Sequence, residues 1–416
     1  MINYFYDCYR ILNKVYGEGA FVKQAISGTD IEEKNRPLTV KTCYGVLDRD
    51  AELSFYIKAF APKNPKLAVR TILKIAMYDI AFLDKKPYAV IDNAVELSKK
   101  LGKSGTAGFI NAFLRRFSNE YKTVELPKDD ALCISIKYSY PLFAVKELIA
   151  TYGKARTEKI LSFKEPVTTL AFYNTDGEEY LKNLGVTYEK TPFSNVFNVK
   201  NFVRNSDYDK GVYTFQSIGS VAVCDVVEPC DKLLDCCAAP GGKSVRLSFK
   251  CKNVTSLDLY EHRVELIKQY ASRMGVKNIT AKVSDASVEN EEFINEFDAV
   301  LCDAPCSSLG VTGDNPDVKL KRTENDVLEL NSIQKKILNN VSKYVKVGGY
   351  LYYSTCSILN RENIDVIKDF IGKNKNFTLE NAGSKLPYEN VLGANVFLPD
   401  ISCGAGFFVA KLKRIK

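Results

Sequence analysis

Apolar residues recur every three or four positions through the first third of the chain, the spacing that lays one hydrophobic face along an α-helix. Ile72, Leu73, Ile75, Ala76, Ile80, Ala81 and Leu83 follow Arg70 in that rhythm. Pro87 interrupts it, and Val90, Ile91, Ala94, Val95 and Leu97 resume it. Phe109-Ile-Asn-Ala-Phe-Leu114 closes the series at Arg115-Arg116, so residues 1–125 are expected to form a small all-helical domain with basic helix ends. After Glu125-Leu-Pro127 a helical stretch, Leu142 to Tyr152, gives way to short alternating pieces such as Thr168–Tyr173 and Val196–Val199. Residues 126–210 therefore read as a small α+β connector subdomain.

From about Gly211 to the C-terminus the pattern changes again. Short apolar runs that stop at polar loops alternate with amphipathic helices, as in an α/β Rossmann-like domain with a parallel sheet (211–416). Leu233-Leu234 opens a buried strand that stops at Ala238-Ala239-Pro240-Gly241-Gly242, where a helix begins. Adjacent glycines let backbone amides approach a ligand, and Pro240 fixes the entry to the loop. Asn253-Val-Thr-Ser-Leu-Asp258 is a second strand, its acid sixteen residues past Gly242, near where a two-strand nucleotide fold places its ribose-hydroxyl acceptor. Asp285 is expected to end a third strand and Asp303 a fourth, Phe297–Asp303. A helix from Asp326 to Tyr344 is expected to stop at Gly348-Gly349. The strand Tyr350–Tyr353, a helix from Glu362 to Ile371 and a closing pair, Val396–Leu398 with Gly406–Ala410, complete the series.

Composition narrows the class. No apolar run approaches the length of a membrane helix, and the opening residues lack the charged-then-apolar layout of a signal peptide, so a cytoplasmic protein is expected. Twelve cysteines occur without a Cys-x-x-Cys pair and with a single histidine, His262, which argues against a structural metal and for mostly small core cysteines in a reducing compartment. The net charge is +8, and residues 1–125 hold 20 Lys/Arg against 14 Asp/Glu. An excess placed there suits an RNA-binding module.

Cys236-Cys-Ala-Ala-Pro-Gly-Gly-Lys-Ser244, Asp303-Ala-Pro-Cys-Ser307 and Tyr353-Ser-Thr-Cys-Ser357, in that order, resemble the signatures of the Nop/Sun family of S-adenosylmethionine-dependent RNA cytosine-5 methyltransferases. Arg70–Tyr78, Asn93–Leu97 and Gly108–Arg116 resemble the NusB-like RNA-binding domain that precedes the catalytic part in the bacterial 16S ribosomal RNA member. Arg115 and Arg116 either contact RNA or complement a helix C-terminus.

Both Cys306 and Cys356 stand at strand ends where a thiol could add to a cytosine, and the residues alone leave the order undecided. The resemblance implies attack by Cys356, product release aided by Cys306, and Asp303 on the base near its ring nitrogen and amine. It further implies that the backbone of Cys237, Ala238, Ala239, Pro240, Gly241, Gly242 and Lys243 cradles the methionine end of the cofactor. Asp258 would take the ribose hydroxyls and Asp285 would lie near the adenine amine. Arg263 either braces Asp258 or pairs with Glu261 or Glu265; Lys243 either aids thiolate formation or is an exposed helix-start residue.

Four departures from the family pattern stand out: Phe172 for an arginine, Ser217 for an acid, Gly313-Asp314 for two basic residues before Asn315-Pro-Asp317, and Ala405 for an aspartate. The expected partner is 16S ribosomal RNA and the expected state a monomer. A transfer RNA substrate, or a non-catalytic RNA-binding or assembly factor, are the alternatives.

Overall fold

The computed structural model describes residues 2–163 and 168–416. Internal contacts divide the chain into two compact units. One runs to Glu158 and also includes Thr312–Arg322; the other comprises Lys159–Val311 and Thr323–Lys416. Of the expected connector, the helices up to Glu158 group with the first unit and a small sheet with the second.

The first unit is helical, as the periodicity predicts: α1 (Ile2–Glu18), α2 (Val22–Ser27), α3 (Arg36–Asp48), α4 (Asp50–Phe60), α5 (Leu67–Ala81), α6 (Pro87–Lys100), α7 (Ala107–Glu120), α8 (Asp130–Tyr138) and α9 (Leu142–Tyr152), with α10 (Lys154–Ser162) crossing the boundary. The core is built around α5, whose Ile72, Leu73, Ile75, Ala76 and Met77 are fully buried against Phe5, Ile11 and Leu12 of α1 and Val46 and Leu47 of α3. Two buried acids inside this core are each satisfied by a lysine and a tyrosine. Asp50 accepts from Lys74 Nζ (2.5 Å) and Tyr16 Oη (2.6 Å), and Asp79 from Lys85 Nζ (2.8 Å) and Tyr4 Oη (2.9 Å). Such pairing offsets the desolvation of each charge.

The segment Thr312–Arg322 is woven into this unit. Lys319, its side chain 1% exposed, donates to Asp48 Oδ1 (2.6 Å), the Asp48 carbonyl (2.8 Å) and the Tyr138 carbonyl (3.1 Å). Asp317 accepts from the Val22 amide (3.2 Å).

The second unit holds two sheets. The smaller orders β2-β3-β1-β4, from β1 (Thr168–Ala171), β2 (Tyr188–Lys190), β3 (Val196–Val199) and β4 (Thr214–Phe215). Phe172 lies in its core with Leu170, Leu181, Phe197, Val199 and Tyr213.

The larger sheet has a parallel part, β5 (Lys232–Asp235), β6 (Asn253–Asp258), β7 (Ile279–Val283), β8 (Phe297–Asp303) and β9 (Val345–Thr355), in spatial order β7-β6-β5-β8-β9. The antiparallel strands β10 (Phe377–Glu380), β11 (Glu389–Val391), β12 (Ala394–Phe397) and β13 (Phe407–Arg414) extend it beyond β9. Succession reverses between β5 and β8, the switch point at which doubly wound sheets open a crevice at their carboxyl ends.

Three expected boundaries move. The third strand stops at Val283, two residues before Asp285. The long helix spans Glu324–Val341, and Gly348-Gly349 lies inside β9, where a Cβ on Gly349 would come within 2.6 Å of the Asp298 carbonyl; the glycine marks close strand approach. The helix expected from Glu362 spans Ile364–Lys373. Among the described residues no helix is long and apolar enough to cross a membrane.

Packing at α3 and α7 gives opposite expectations for two glycines. A Cβ on Gly45 would sit 2.0 Å from the Tyr78 ring, whereas Gly108 has open space. Gly45→Ala is expected to destabilise by about 1–3 kcal/mol through overpacking and Gly108→Ala to stabilise by up to about 1 kcal/mol through helix propensity, both read as denaturant midpoints.

Candidate active site

The carboxyl ends of β5, β6, β8 and β9 bring the signature residues to one rim. The loop after β5 is tied to both neighbouring strands: the Cys236 amide donates to the Leu301 carbonyl (3.0 Å) and the Ala238 amide to the Leu257 carbonyl (2.8 Å). Gly241 takes φ +106°, and a Cβ there would press to 3.2 Å from Ile267 Cα, so glycine alone lets the loop turn into the helix Gly242–Ser248. Pro240 is exposed, while Cys237, Ala239, Gly242 and Lys243 are partly so.

Asp258, at the end of β6, accepts from the Ala239 amide (3.2 Å) and pairs with Arg263 Nε (3.3 Å), whose Nη2 reaches the Ala239 carbonyl (3.2 Å). Arg263 thus braces Asp258 and the loop together. Asp285 is exposed, its carboxylate accepting from the Ser287 amide (2.8 Å) and hydroxyl (2.7 Å) within its own turn. Asp235, which sequence reasoning passed over, receives the Ser244 hydroxyl (2.6 Å) on Oδ2, but its buried Oδ1 has no partner. Burial pushes its carboxyl up to about 7. A loop that turns where Gly241 lacks a side chain, a buried carboxyl beside it with one oxygen unpartnered and a braced acid one strand over fit a ligand carrying an ammonium group and a diol. S-adenosylmethionine is such a ligand.

The two thiols meet. Cys306 Sγ lies 3.3 Å from Cys356 Sγ, and Cys356 Sγ lies 3.5 Å from the Ser308 hydroxyl. The hydrogen bond from Cys306, helped by Ser308 and the Lys243 charge, holds the Cys356 thiol below its ordinary range; the same contact, with burial, drives Cys306 upward. Asp303 is gripped by Lys243 Nζ (2.6 Å) on one oxygen and the Ser354 hydroxyl (2.7 Å) on the other. Burial disfavours the Lys243 ammonium, yet the Asp303 carboxylate outweighs it and raises its pKa. Lys243 is therefore part of the site, 15% exposed at its side chain.

One further residue organises both thiols. Glu362 is fully buried; it accepts from the Ser307 amide (2.8 Å) and hydroxyl (2.5 Å), the Ser357 hydroxyl (2.5 Å) and Gln334 Nε2 (3.1 Å), while its carbonyl takes the Tyr353 hydroxyl (2.6 Å). Ser307 and Ser357 each follow a thiol, so a single carboxylate sets the spacing of the two cysteine loops. The serines stood in the motifs; nothing marked the glutamate. Of the departures, Phe172 and Ala405 are buried packing residues and Ser217 caps a helix start by accepting from the Ser220 amide (3.4 Å). Gly313-Asp314 lies in the segment grouped with the helical unit.

Glu362→Ala strands these donors in a buried site and is expected to cost on the order of 3 kcal/mol. It is also expected to weaken capture of the thiol pair by phenylarsine oxide at least tenfold, whereas Glu362→Gln keeps most of both, measured by denaturant unfolding and arsenical titration.

Residues 225–413 match the family described as 16S rRNA methyltransferase RsmB/F, and residues 8–119 match the NusB family. The chain is 33% identical to the probable ribosomal RNA small subunit methyltransferase B of Bacillus subtilis (strain 168), over 97% of this chain and 95% of that protein. It is 27% identical to the ribosomal RNA small subunit methyltransferase B of Photorhabdus laumondii, over 97% of each. In fold it is similar to the crystal structure of PH0851 (TM-score 0.83, 22% identity, 99% of this chain and 98% of that one). It is also similar to NSun6 from Pyrococcus horikoshii with SFG (TM-score 0.59, 20% identity, 66% and 98%). An identity of one third sustained over nearly the full length of both chains means that this protein belongs to the RsmB/F family of 16S rRNA methyltransferases, with a NusB-family segment ahead of its catalytic part.

Proposed function

We propose that the protein methylates carbon 5 of a cytosine in 16S ribosomal RNA through a covalent adduct with Cys356. The observation that carries this reading is the pair of thiols 3.3 Å apart at neighbouring strand ends beside Asp303. Carbon 5 of cytosine is too weak a nucleophile to accept a methyl group unaided. Cys356, its proton passed to solvent, attacks as a thiolate and forms a bond to carbon 6, and the electron pair of the carbon 5–carbon 6 double bond moves into the ring toward carbon 5. Asp303, held by Lys243 and Ser354, is assigned to the amine and ring-nitrogen edge of the base.

The backbone of residues 237–243 would hold S-adenosylmethionine, with Asp258 toward its ribose hydroxyls and Asp285 toward its adenine amine, and the cofactor would supply an electrophilic methyl group. Arg263 acts through Asp258 as a positioning residue. After transfer, Cys306 gives its own proton to solvent and, as a thiolate, removes the carbon-5 proton, and the resulting electron pair re-forms the double bond and expels Cys356 as a thiolate.

Phe172 and Ala405 occupy buried, packed positions, which gives two of the four departures a structural account. A transfer RNA substrate is separated from 16S ribosomal RNA by mapping 5-methylcytosine in total RNA with and without the protein.

Cys356→Ala is expected to reduce methyl transfer to a 16S transcript to background while leaving S-adenosylmethionine binding intact; full activity in this variant sinks the proposal. Cys306→Ala is expected to trap a protein–RNA adduct stable on a denaturing gel, with turnover slowed roughly 10²–10⁴-fold.

A further inference from the structure

We propose that a groove on the helical unit, far along the chain from either thiol, takes one unpaired nucleotide of an RNA strand; this rests on the reading of the protein as an enzyme acting on RNA. Loops 61–66 and 101–106 border a cavity of about 530 Å³, lined by Lys63, Lys66 and Lys103 around Pro65, Val69 and Phe109. That size falls within the roughly 300–1,000 Å³ of small-ligand sites.

Three features define the occupant. First, the lining contains no acid, and the three lysines are exposed without an ion pair to any described residue. Three unpaired cations converging on one groove attract a polyanion, and phosphates spaced along a strand supply one. Second, the floor is apolar, with Phe109 38% exposed beside Phe113 (ring centroids 5.9 Å apart). An exposed ring framed by lysines is the arrangement on which an unstacked base lies while its phosphates are neutralised. Third, α5 and α7 both begin at this groove, and neither has an acid in its first turn or a side-chain cap on its leading amides, so their termini add to the positive field. A duplex hides its base faces in the stack, so the ring selects a single-stranded segment.

The test uses the full-length protein and a fluorescein-labelled oligouridylate, with affinity measured over a range of salt. The triple variant Lys63→Glu/Lys66→Glu/Lys103→Glu is expected to bind at least tenfold more weakly, with the log–log salt slope shallower by about 2, at about 0.7 for each phosphate no longer neutralised. Phe109→Leu, which keeps the apolar packing but removes the ring, is expected to lose roughly fivefold or more, and Phe109→Tyr to restore it. Calorimetric binding of S-adenosylmethionine by each variant verifies folding. Unchanged oligouridylate affinity and salt slope in both the triple variant and Phe109→Leu overturns the proposal, as does equal competition by polyglutamate, which assigns the groove to an acidic peptide. Methyl transfer to a 16S transcript is measured alongside. Groove-dependent binding by a protein that methylates no RNA keeps the groove and removes the proposed activity; a methylating protein with silent groove variants does the reverse.

Discussion

The carboxylate of Glu362 sits in a region sealed from water, where an isolated charge would cost several kcal/mol, and it is stabilised only because hydroxyl, amide and carboxamide donors converge on it. Two of those donors are the hydroxyls of Ser307 and Ser357, carried by loops that leave different strands. Their mutual distance is therefore set by a shared acceptor rather than by either loop alone. The two sulfurs one residue upstream inherit that spacing, which leaves them 3.3 Å apart.

The rim of the sheet was legible in the chain because a parallel strand announces itself as an apolar run and its functional end as the polar residues that interrupt it. Asp258, Asp303 and the glycine loop were found that way. The partners that hold them were harder to see. Arg263 could be placed one helical turn from Asp258, yet only the fold decides between the strand-end acid and the neighbouring glutamates. Glu362 lies 55 residues from Ser307, and no local pattern signals a contact of that range. Gly348-Gly349 misled because a glycine pair after a helix reads as a stop, while here the helix has already ended and the missing side chain serves the approach of β9 to β8.

The departures from the family pattern also divide along physical lines. Phe172 and Ala405 occupy buried positions, so each reads as a packing solution, with a hydrophobic side chain filling space where a charge would need a partner. Gly313-Asp314 belongs to the segment that crosses into the helical unit, and its meaning depends on that unit's role.

That crossing makes the helical unit discontinuous. Lys319 carries its ammonium into an otherwise closed interior, where Asp48 and two carbonyls receive it, and Asp317 terminates the amide of Val22. Excising the N-terminal portion as a linear fragment would leave these acceptors and that donor facing a vacated slot, so the module is not a bead that recombination can shuffle by a single junction. Inheritance of the helical part is thereby tied to an eleven-residue stretch encoded more than 150 codons downstream of Glu158.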